Sequence, residues 1–355
     1  MKRFLQLHYL TVYPPSNPNR DDQGRPKTAH YGGVARLRIS SQALKRAARQ
    51  SDVFQDKLNG HLGQRTQRIG EVIVAHLKEA GADEEKATEI AKQVTDAFGK
   101  LDAEVEKKQG VVRTRQLAFI SPDERKMALD LAERVLKGEG LPEAKDLSKA
   151  VLRKADGAAD IAMFGRMLAD DPDFNRDAAV QVAHAITTHR AVVEDDYYTA
   201  VDDLKRPAED AGAGFVGDAG FGSGVFYLYV CVNRALLLDN LDGDASLAKA
   251  ATEALVEALA TASPPGKRNS FANFARAGFV LAERGDQQPR SLASAFLRPV
   301  EGADLMQSSI GALKDMAARM DDAYGSCADA RSEMNLVAGD GTLGELVAFS
   351  SADLG

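Results

Sequence analysis

The sequence has no tryptophan, only two cysteines among its 355 residues, and no long run of apolar side chains. Cys231 and Cys327 are too few and too far apart to predict a disulfide framework or a cysteine-based zinc site. No stretch approaches the roughly 18 apolar residues that span a bilayer, and the first residues turn polar too soon for a signal peptide. Since 44% of the residues are apolar, the chain is not wholly disordered. We expect a soluble cytoplasmic protein of about two structural units.

Signatures of several enzyme classes are also missing. There is no phosphate-binding loop that ends in Gly-Lys-Ser/Thr and no serine nucleophile elbow. The glycine-rich segment 220–224 precedes a predicted strand, so we interpret it as a hinge and not as a dinucleotide site. His184 and His189 lie on different faces of a predicted helix, which disfavours zinc, and His76 is predicted to be half-buried in a core. No catalytic residue, metal site or cofactor is predicted.

The charges are distributed unevenly along the chain. The first 50 residues carry ten Lys and Arg against two Asp, a net charge of +8, whereas the whole chain carries -7. A basic segment on an acidic protein is typical of a polyanion-binding face, although solvated surface charge would look the same. The cations are Lys2, Arg3, Arg20, Arg25, Lys27, Arg36, Arg38, Lys45, Arg46 and Arg49.

The basic segment has a recognisable local order. Residues 4–13 read as a strand, 16–33 as a long polar loop, and 34–39 as an extended segment with Val34, Arg36 and Arg38 on one polar face. Ser40 or Ser41 can cap a helix that runs to about residue 50. The start of that helix is a natural seat for phosphate, and its apolar stripe leaves Gln42, Lys45 and Arg49 together on one polar face.

The rest of the chain predicts a helical block followed by a mixed region. The block covers about 52–158 and includes a capping box at Ser121. The following elements are a strand at 160–167, a helix at 178–186, a projecting loop at 190–224, a strand at 225–232, a helix at 247–261, a strand at 278–282 and a helix at 306–324. Without the helical block, the order is β-α-β-β-α-β, the ferredoxin-like arrangement of RRM-type RNA binders. The predicted class is therefore α+β.

Short motifs along the chain resemble those of one protein family. They are Asn19-Arg20-Asp21-Asp22, Gly32-Gly33, the run from Arg38 to Arg46, the run from Asp160 to Met167, the run from Ala183 to His189, the run from Thr199 to Leu204, and Ser223-Gly224-Val225-Phe226-Tyr227. In order and spacing they resemble the CasC family, the repeated backbone subunit of the type I-E CRISPR Cascade surveillance complex. The resemblance covers roughly the whole chain and is loosest in the helical block and after about residue 300.

The resemblance implies a fold likened to a right hand. An RRM-like palm would comprise 1–55, 159–189 and 223–355, with helical fingers at 56–158 and a thumb loop or hairpin at 190–222. The resemblance also implies a set of site residues. Those that would grip RNA are Arg20, Arg38, Ser40, Gln42, Lys45, Arg46 and Arg49, with Met167 against a displaced nucleotide. The thumb residues would be Thr199, Val201, Phe215 and Val216, the last two near a tip whose length departs from the family.

The function implied by the resemblance is a non-catalytic scaffold for guide RNA. Copies would polymerise head to tail along the spacer, hold the RNA by its phosphates, and leave the bases free to pair with target DNA. Other Cascade subunits, of the CasA, CasB, CasD and CasE types, would be partners, and cleavage would belong to a separately recruited helicase-nuclease. No membrane partner is expected.

Two other functions stay open on the sequence alone. Asp21 and Asp22, or Asp202 and Asp203, could hold Mg²⁺ in a metal-dependent ribonuclease of the same superfamily. The sequence favours a different role for the Asp21-Asp22 pair, which is to order a loop through Asx turns, because no third carboxylate is identifiable nearby. The third interpretation is a generic single-strand binder that forms no assembly of defined stoichiometry.

Overall fold

The structure is a computed structural model that describes residues 1–154, 157–168, 171–200 and 215–354, with backbone alone at 144, 145, 215 and 216. The strands include long ones that are rich in apolar, β-branched or aromatic side chains and shorter ones that are mostly polar. They are β1 (Phe4–Ser16), β2 (Thr28–Tyr31), β3 (Val34–Ile39), β4 (Gln64–Thr66), β5 (Ala118–Ile120), β6 (Val180–Val182), β7 (Ala185–Thr187), β8 (Glu194–Ala200), β9 (Phe215–Asn233), β10 (Ala277–Gly285) and β11 (Ala330–Asn335).

The helices are mostly amphipathic and many begin at a side-chain cap. They are α1 (Ser41–Arg49), α2 (Asp52–Lys57), α3 (Ile69–Glu79), α4 (Glu84–Thr95), α5 (Ala103–Gln109), α6 (Pro122–Leu136), α7 (Ala144–Val151), α8 (Ala159–Phe164), α9 (Arg234–Asn240), α10 (Ala245–Thr261), α11 (Arg268–Phe271), α12 (Leu305–Tyr324) and α13 (Leu343–Ser351). Short 3-10 helices cover Asp96–Phe98, Pro172–Phe174 and Ala293–Phe296. In the described ranges, no helix has the length and hydropathy that a membrane crossing requires.

The chain divides into two units by its internal contacts. The sheet unit comprises Met1–Phe54, Val182–Val232 and Thr252–Asp353. The helical unit comprises Gln55–Gln181, Asn233–Ala251 and Leu354–Gly355. Residues 159–181, which the sequence places in the palm, therefore group with the helices, and residues 190–222 with the sheet.

The sheet unit is built on one large sheet, whose main path runs β11-β10-β1-β9-β7-β3-β2. Strand β10 pairs antiparallel with both β1 and β11, and β7 pairs antiparallel with both β3 and β9. Strand β1 is buried on both faces from Leu5 to Leu10, as expected for a central strand. One face packs Phe279 and Tyr227 against Phe296 and Leu313 of the helical layer. The predicted α+β class and its antiparallel sheet are confirmed.

A buried polar cluster joins three of these strands under that layer. His8 Nδ1 lies 2.9 Å from the Tyr227 hydroxyl, and His8 Nε2 lies 3.2 Å from Glu283 Oε2. Because a carboxylate only accepts, Nε2 donates to Glu283 and Nδ1 accepts from Tyr227. Arg290 Nη1 donates to Glu283 at 2.6 Å. Burial lowers the pKa of His8 and would raise that of Glu283, but hydrogen bonds from His8 and Arg290 hold the Glu283 pKa well below its usual range.

The helical unit packs α3, α4 and α6 around a core that includes Ile73, Leu77, Ala91 and Leu131. The predicted capping box at Ser121 is present, since Ser121 Oγ accepts from Glu124 N at 3.1 Å and the Glu124 carboxylate accepts from Ser121 N. The predicted helices of this block are confirmed. His76 is half-buried as predicted, with Nε2 2.8 Å from Glu133 Oε1.

Two element predictions are wrong: a predicted strand is a helix, and a predicted helix forms short strands. Residues 160–167, predicted as a strand, form the buried helix α8, which ends at Gly165 with φ 77°. A short apolar run does not distinguish a buried helix from a strand. Residues 178–186, predicted as a helix, form β6 and part of β7. The partners β3 and β9 on both sides of β7 override the helical spacing, so the predicted β-α-β-β-α-β order does not hold in these segments.

The predicted hinge at 220–224 is also wrong, because these residues continue β9 without a break. Neighbouring side chains approach the backbone of these glycines too closely for a Cβ atom. A Cβ on Gly222 would lie 2.7 Å from Leu37 Cδ1, and one on Gly224 would lie 2.6 Å from His189 Nε2. Glycine in a strand commonly marks such contacts.

Candidate nucleic-acid interface

Helix α1 begins at a doubly fixed serine. Ser40 is the N-cap residue, and its Oγ accepts from Ala43 N at 3.3 Å. Its own backbone N–H donates to Asn19 Oδ1 at 2.8 Å. The side chain of Asn19 therefore fixes the polar loop to the start of the helix. This contact orders the predicted phosphate seat before any ligand binds.

The polar face of α1 carries the predicted side chains. Leu44, Ala47 and Ala48 are buried, which confirms the apolar stripe. Gln42 and Arg46 are exposed, and Lys45 and Arg49 are half-buried and engaged in contacts within the protein. Arg46 Nε donates to Gln50 Oε1 at 3.2 Å, one turn further along. The helix thus presents cations along its length.

The loop before β2 is compact, and it uses Asp21 for its own order. Asp21 Oδ1 accepts from the backbone N–H groups of Gln23 at 3.0 Å and Arg25 at 2.9 Å. Arg20 pairs with Pro26 in an isolated bridge and its side chain is exposed. The Asx-turn interpretation of Asp21 is therefore observed, and the turn directs Arg20 to the surface.

The two arginines of β3 differ in their surroundings. Arg38 donates to His184 Nδ1 at 2.8 Å and is partly exposed. Arg36, predicted on the same polar face, is fully buried. Its guanidinium donates to the carbonyl oxygens of Tyr31, Thr187 and Phe296 at 3.2, 2.9 and 2.7 Å. The shared polar face is therefore wrong for Arg36, because the segment around Phe296 covers that side of the strand.

Positive charge accumulates around Arg38. Burial lowers the pKa of His184, and the neighbouring charges of Arg38 and Lys27 lower it further. The Lys27 carbonyl also accepts from Arg38 N at 2.8 Å. The same cations that would attract phosphate therefore add to burial in disfavouring protonation of this imidazole.

Strands β8 and β9 form an exposed hairpin where the thumb was predicted. Every residue of β8 is exposed, and Tyr197 retains 69% of its accessible surface. Thr199 pairs with Val216 across the hairpin. Val201 and the pair Asp202-Asp203 lie outside the described residues, as do the side chains of Phe215 and Val216.

A buried amide connects the basic loop to this hairpin. Asn17 Nδ2 donates to the carbonyl oxygens of Gly24 at 3.0 Å and Gly220 at 2.8 Å. Arg25 Nη2 adds an exposed ion pair with Asp195 Oδ1 at 3.0 Å. Loop and hairpin are therefore held in one relative position. Neither Asn17 nor Asn19 was predicted as a positioning residue, although an asparagine-rich polar loop is a recognisable signal.

Met167 belongs to the helical unit and is 82% exposed. The preceding residue explains its position. Arg166 is buried and donates to Glu124 Oε2 at 2.6 Å and to the Phe119 carbonyl oxygen at 3.1 Å. A large apolar side chain held out into solvent by a fixed neighbour is suited to contact a partner.

Among the described residues, no group of three His, Cys, Asp or Glu side chains is placed to hold a metal ion. His184 and His189 have separate neighbours: His184 accepts from Arg38, and His189 Nδ1 donates to the Arg190 carbonyl oxygen at 2.8 Å. The side chains that the structure describes at this site form a positively charged surface.

Comparison with protein families gives a match over nearly the entire chain. Residues 5–348 match the model of the CT1975-like protein family. The chain belongs to the CT1975-like family. A search of curated proteins gives no match.

The chain is also similar to solved structures over nearly its whole length. This CT1975-like chain is 31% identical to a chain of a CRISPR RNA-guided surveillance complex, pre-nicking, with a TM-score of 0.85 over 98% of this chain and 100% of that chain. A second chain, of a CRISPR RNA-guided surveillance complex, is 28% identical with a TM-score of 0.73, over 98% of this chain and 99% of that chain. These matches confirm the resemblance to a Cascade backbone protein.

Proposed function

We propose that this chain is a guide-RNA-binding backbone subunit of a type I-E Cascade complex, without nuclease activity of its own. The observation that carries the proposal is the group of cations that Asn19 and Ser40 organise at the start of α1. Arg20 and Arg38 reach the surface from the loop and the strand that precede this helix start, and Arg46 is exposed in the last turn of α1. Such a group binds phosphates without reading sequence.

The binding mode follows from the chemistry of this group. Guanidinium and ammonium groups and helix N–H groups recognise phosphate oxygens, whereas base edges need other partners. A guide held by its backbone keeps its bases free to pair with target DNA, so sequence recognition passes to base pairing. Gln42, Lys45 and Arg49 would continue the phosphate contacts along α1.

The hairpin of β8 and β9 would interrupt the pairing. We propose that Thr199, Val201, Phe215 and Val216 displace one guide nucleotide, and that Met167 packs against it. Support comes from the full exposure of β8, from the Thr199–Val216 pairing and from the 82% exposure of Met167. A nucleotide removed at each subunit leaves the hybrid underwound, so a long duplex can form without the strands winding around each other.

Copies would assemble head to tail on the guide, in contacts that do not close into a ring. CasA-, CasB-, CasD- and CasE-type subunits would complete the complex and set its length. A generic single-strand binder would instead coat any RNA without fixed stoichiometry. Native mass spectrometry on a repeat-flanked guide distinguishes the two, because the proposal requires one fixed copy number per guide.

The RNA-binding experiment replaces Lys45 and Arg49 with Ala together. We expect the slope of log affinity against log salt to fall by about 1.4, at about 0.7 for each phosphate contact on a single strand. Two exposed cations outside the first 50 residues, Lys249 and Arg298, provide the matched double control and should leave the slope unchanged. An unchanged slope in the Lys45 and Arg49 variant would show that these residues do not contact phosphate.

The absence of nuclease activity has its own test. Guide and complementary RNA are incubated with the protein and Mg²⁺, and products are resolved by gel electrophoresis. The proposal expects intact RNA. Cleavage that disappears in Asp21→Ala, Asp22→Ala or Asp202→Ala with Asp203→Ala would overturn it in favour of the metal-dependent ribonuclease.

A further inference from the structure

A cavity lies in the sheet unit beyond the C-terminal end of α1. Its volume is about 440 Å³, within the range of small-ligand sites in proteins. Gln50, Ser51 and Asp52 line one side, and the segment from Thr261 to Arg276 lines the other. The residues that face it are not those of the cationic group at the start of the helix.

The second side combines an exposed aromatic ring with two arginines. Phe274 retains 74% of its accessible surface, and the Arg268 guanidinium lies 5.0 Å from the centre of its ring. Arg268 Nη2 also donates to the Ser263 carbonyl oxygen at 2.5 Å, which fixes it against the ring. Arg276 is exposed and has no ion-pair partner in the part of the chain that the structure describes.

The backbone that presents this side is strained. Helix α11, which contains Arg268, is flanked by Lys267 with φ 50° and Ala272 with φ 49°, a left-handed conformation that side chains other than glycine rarely adopt. Phe274 N donates to the Ala272 carbonyl oxygen at 2.7 Å, closing the turn below the ring. Strain of this kind clusters where a site must be held in one geometry.

We infer that this cavity binds one nucleotide of a single-stranded nucleic acid, with its base stacked on Phe274 and its phosphate held by Arg268 and Arg276. The three surfaces match the face of a base, its edge and a phosphate. An aromatic face accepts the base, arginines accept the phosphate, and Asp52 with Gln50 offers hydrogen-bond partners to the base edge. The inference rests on the proposed RNA-binding function and adds a second contact to it.

The cavity also lies where a strand following α1 would arrive. The nine residues of α1 span about 14 Å at 1.5 Å per residue. That length corresponds to about four nucleotides stacked at 3.4 Å. Arg46 bonds Gln50, so the cationic face of α1 leads directly to the lining of the cavity. An acidic segment of a neighbouring copy fits less well, because it would leave the exposed aromatic ring without a stacking partner.

The lack of tryptophan allows a direct test. Phe274→Trp places a single fluorophore in the cavity and keeps an aromatic face for stacking. Tyr324→Trp, at a side chain that is 90% exposed, serves as the matched control. The full chain is titrated with a fluorescein-labelled 12-nucleotide single strand, as RNA and as DNA of the same sequence, while anisotropy reports binding separately.

We expect tryptophan fluorescence at position 274 to be quenched in step with anisotropy, and the control to stay unchanged. Quenching by RNA alone identifies the guide as the source of the nucleotide, and quenching by DNA alone identifies a DNA strand. Full binding without quenching at 274 refutes the cavity and leaves the proposed function standing. No binding of any strand contradicts both. Quenching that follows protein concentration without nucleic acid assigns the cavity to a neighbouring copy and refutes the inference.

A second variant covers the arginine side. Arg276→Gln should lower the salt slope by about 0.7, the value of one phosphate contact, while Arg298→Gln, at another exposed arginine, should not. Phe274→Ala should weaken binding by about fivefold or more, since one stacked base accounts for at least that much. Unchanged affinity in Phe274→Ala and an unchanged slope in Arg276→Gln would together refute the nucleotide site.

Discussion

A variant of Arg36 tests stability separately from the proposed RNA binding of the basic segment. Replacing it with Met keeps most of its volume and removes every donor of the guanidinium. Three carbonyl oxygens then lose their hydrogen bonds: those of Thr187 and Phe296, which are buried, and that of Tyr31, which is partly buried. These carbonyls belong to β2, β7 and a 3-10 helix, so one side chain connects three segments of the sheet unit.

The size of the effect follows from opposing contributions. Each buried carbonyl left without a donor costs about 1–3 kcal/mol. Burial lowers the pKa of Arg36, and the release of its buried charge returns several kcal/mol, on the order of the desolvation of one ion. We therefore expect Arg36→Met to lower the free energy of unfolding by a net value of about 2–4 kcal/mol.

Urea unfolding measures the stability, and a salt titration of RNA affinity at low temperature measures the phosphate contacts. Arg36→Met should lower the urea midpoint and keep the salt slope of the unmodified protein. The double variant Lys45→Ala with Arg49→Ala should lower the salt slope and keep the urea midpoint of the unmodified protein. If Arg36→Met lowers the slope without lowering the midpoint, the buried arginine contacts RNA and the reasoning from its burial fails.

Two further predictions concern the sheet. Falling pH should destabilise the protein. In the fold, the pKa of His8 lies below its ordinary value of 6.5 and the pKa of Glu283 lies below 4.5, so the unfolded chain takes up these protons at a higher pH than the folded chain. Unfolding free energy should fall by up to about 1.4 kcal/mol per pH unit for His8, measured by urea unfolding from pH 8 to 5, and His8→Gln should remove that slope. Gly224→Ala, whose Cβ would meet His189 Nε2 at 2.6 Å, should cost about 1–3 kcal/mol in thermal unfolding. Gly344→Ala, in open space, should cost nothing.

Elements with a long or strongly patterned sequence were predicted well. The predicted helix at 306–324 is α12 (Leu305–Tyr324), and the predicted helix at 247–261 is α10 (Ala245–Thr261). Helix α1 is confirmed together with its cap at Ser40, because a cap is a local interaction that three or four residues define. Where neighbouring residues decide the structure, the sequence is sufficient.

Segments whose structure depends on distant partners were not predicted. Strand β7 exists because β3 and β9 lie on its two sides, and neither partner is visible in the spacing of residues 178–186. Strands β2 and β11 and helix α13 were missed for the same reason, since each completes an edge or end of the sheet unit. Strand pairing over long sequence separation is not encoded in a local period.

The candidate site shows the same limit at the level of single side chains. Arg36 and Arg38 alternate with apolar residues in the same way, yet one is fully buried and the other partly exposed. The difference comes from Phe296, which follows Arg36 by 260 positions and accepts from it. A count of cations in the first 50 residues therefore overstates the charge available for the proposed RNA binding, because part of that charge is used to hold the sheet together. The polar loop that carries Arg20 is held by two asparagines: Asn17 bonds it to the hairpin, and Asn19 bonds it to the start of α1. These asparagines carry no charge and would contribute nothing to a salt slope, so the residues proposed to bind phosphate and the residues that place them must be identified by different measurements.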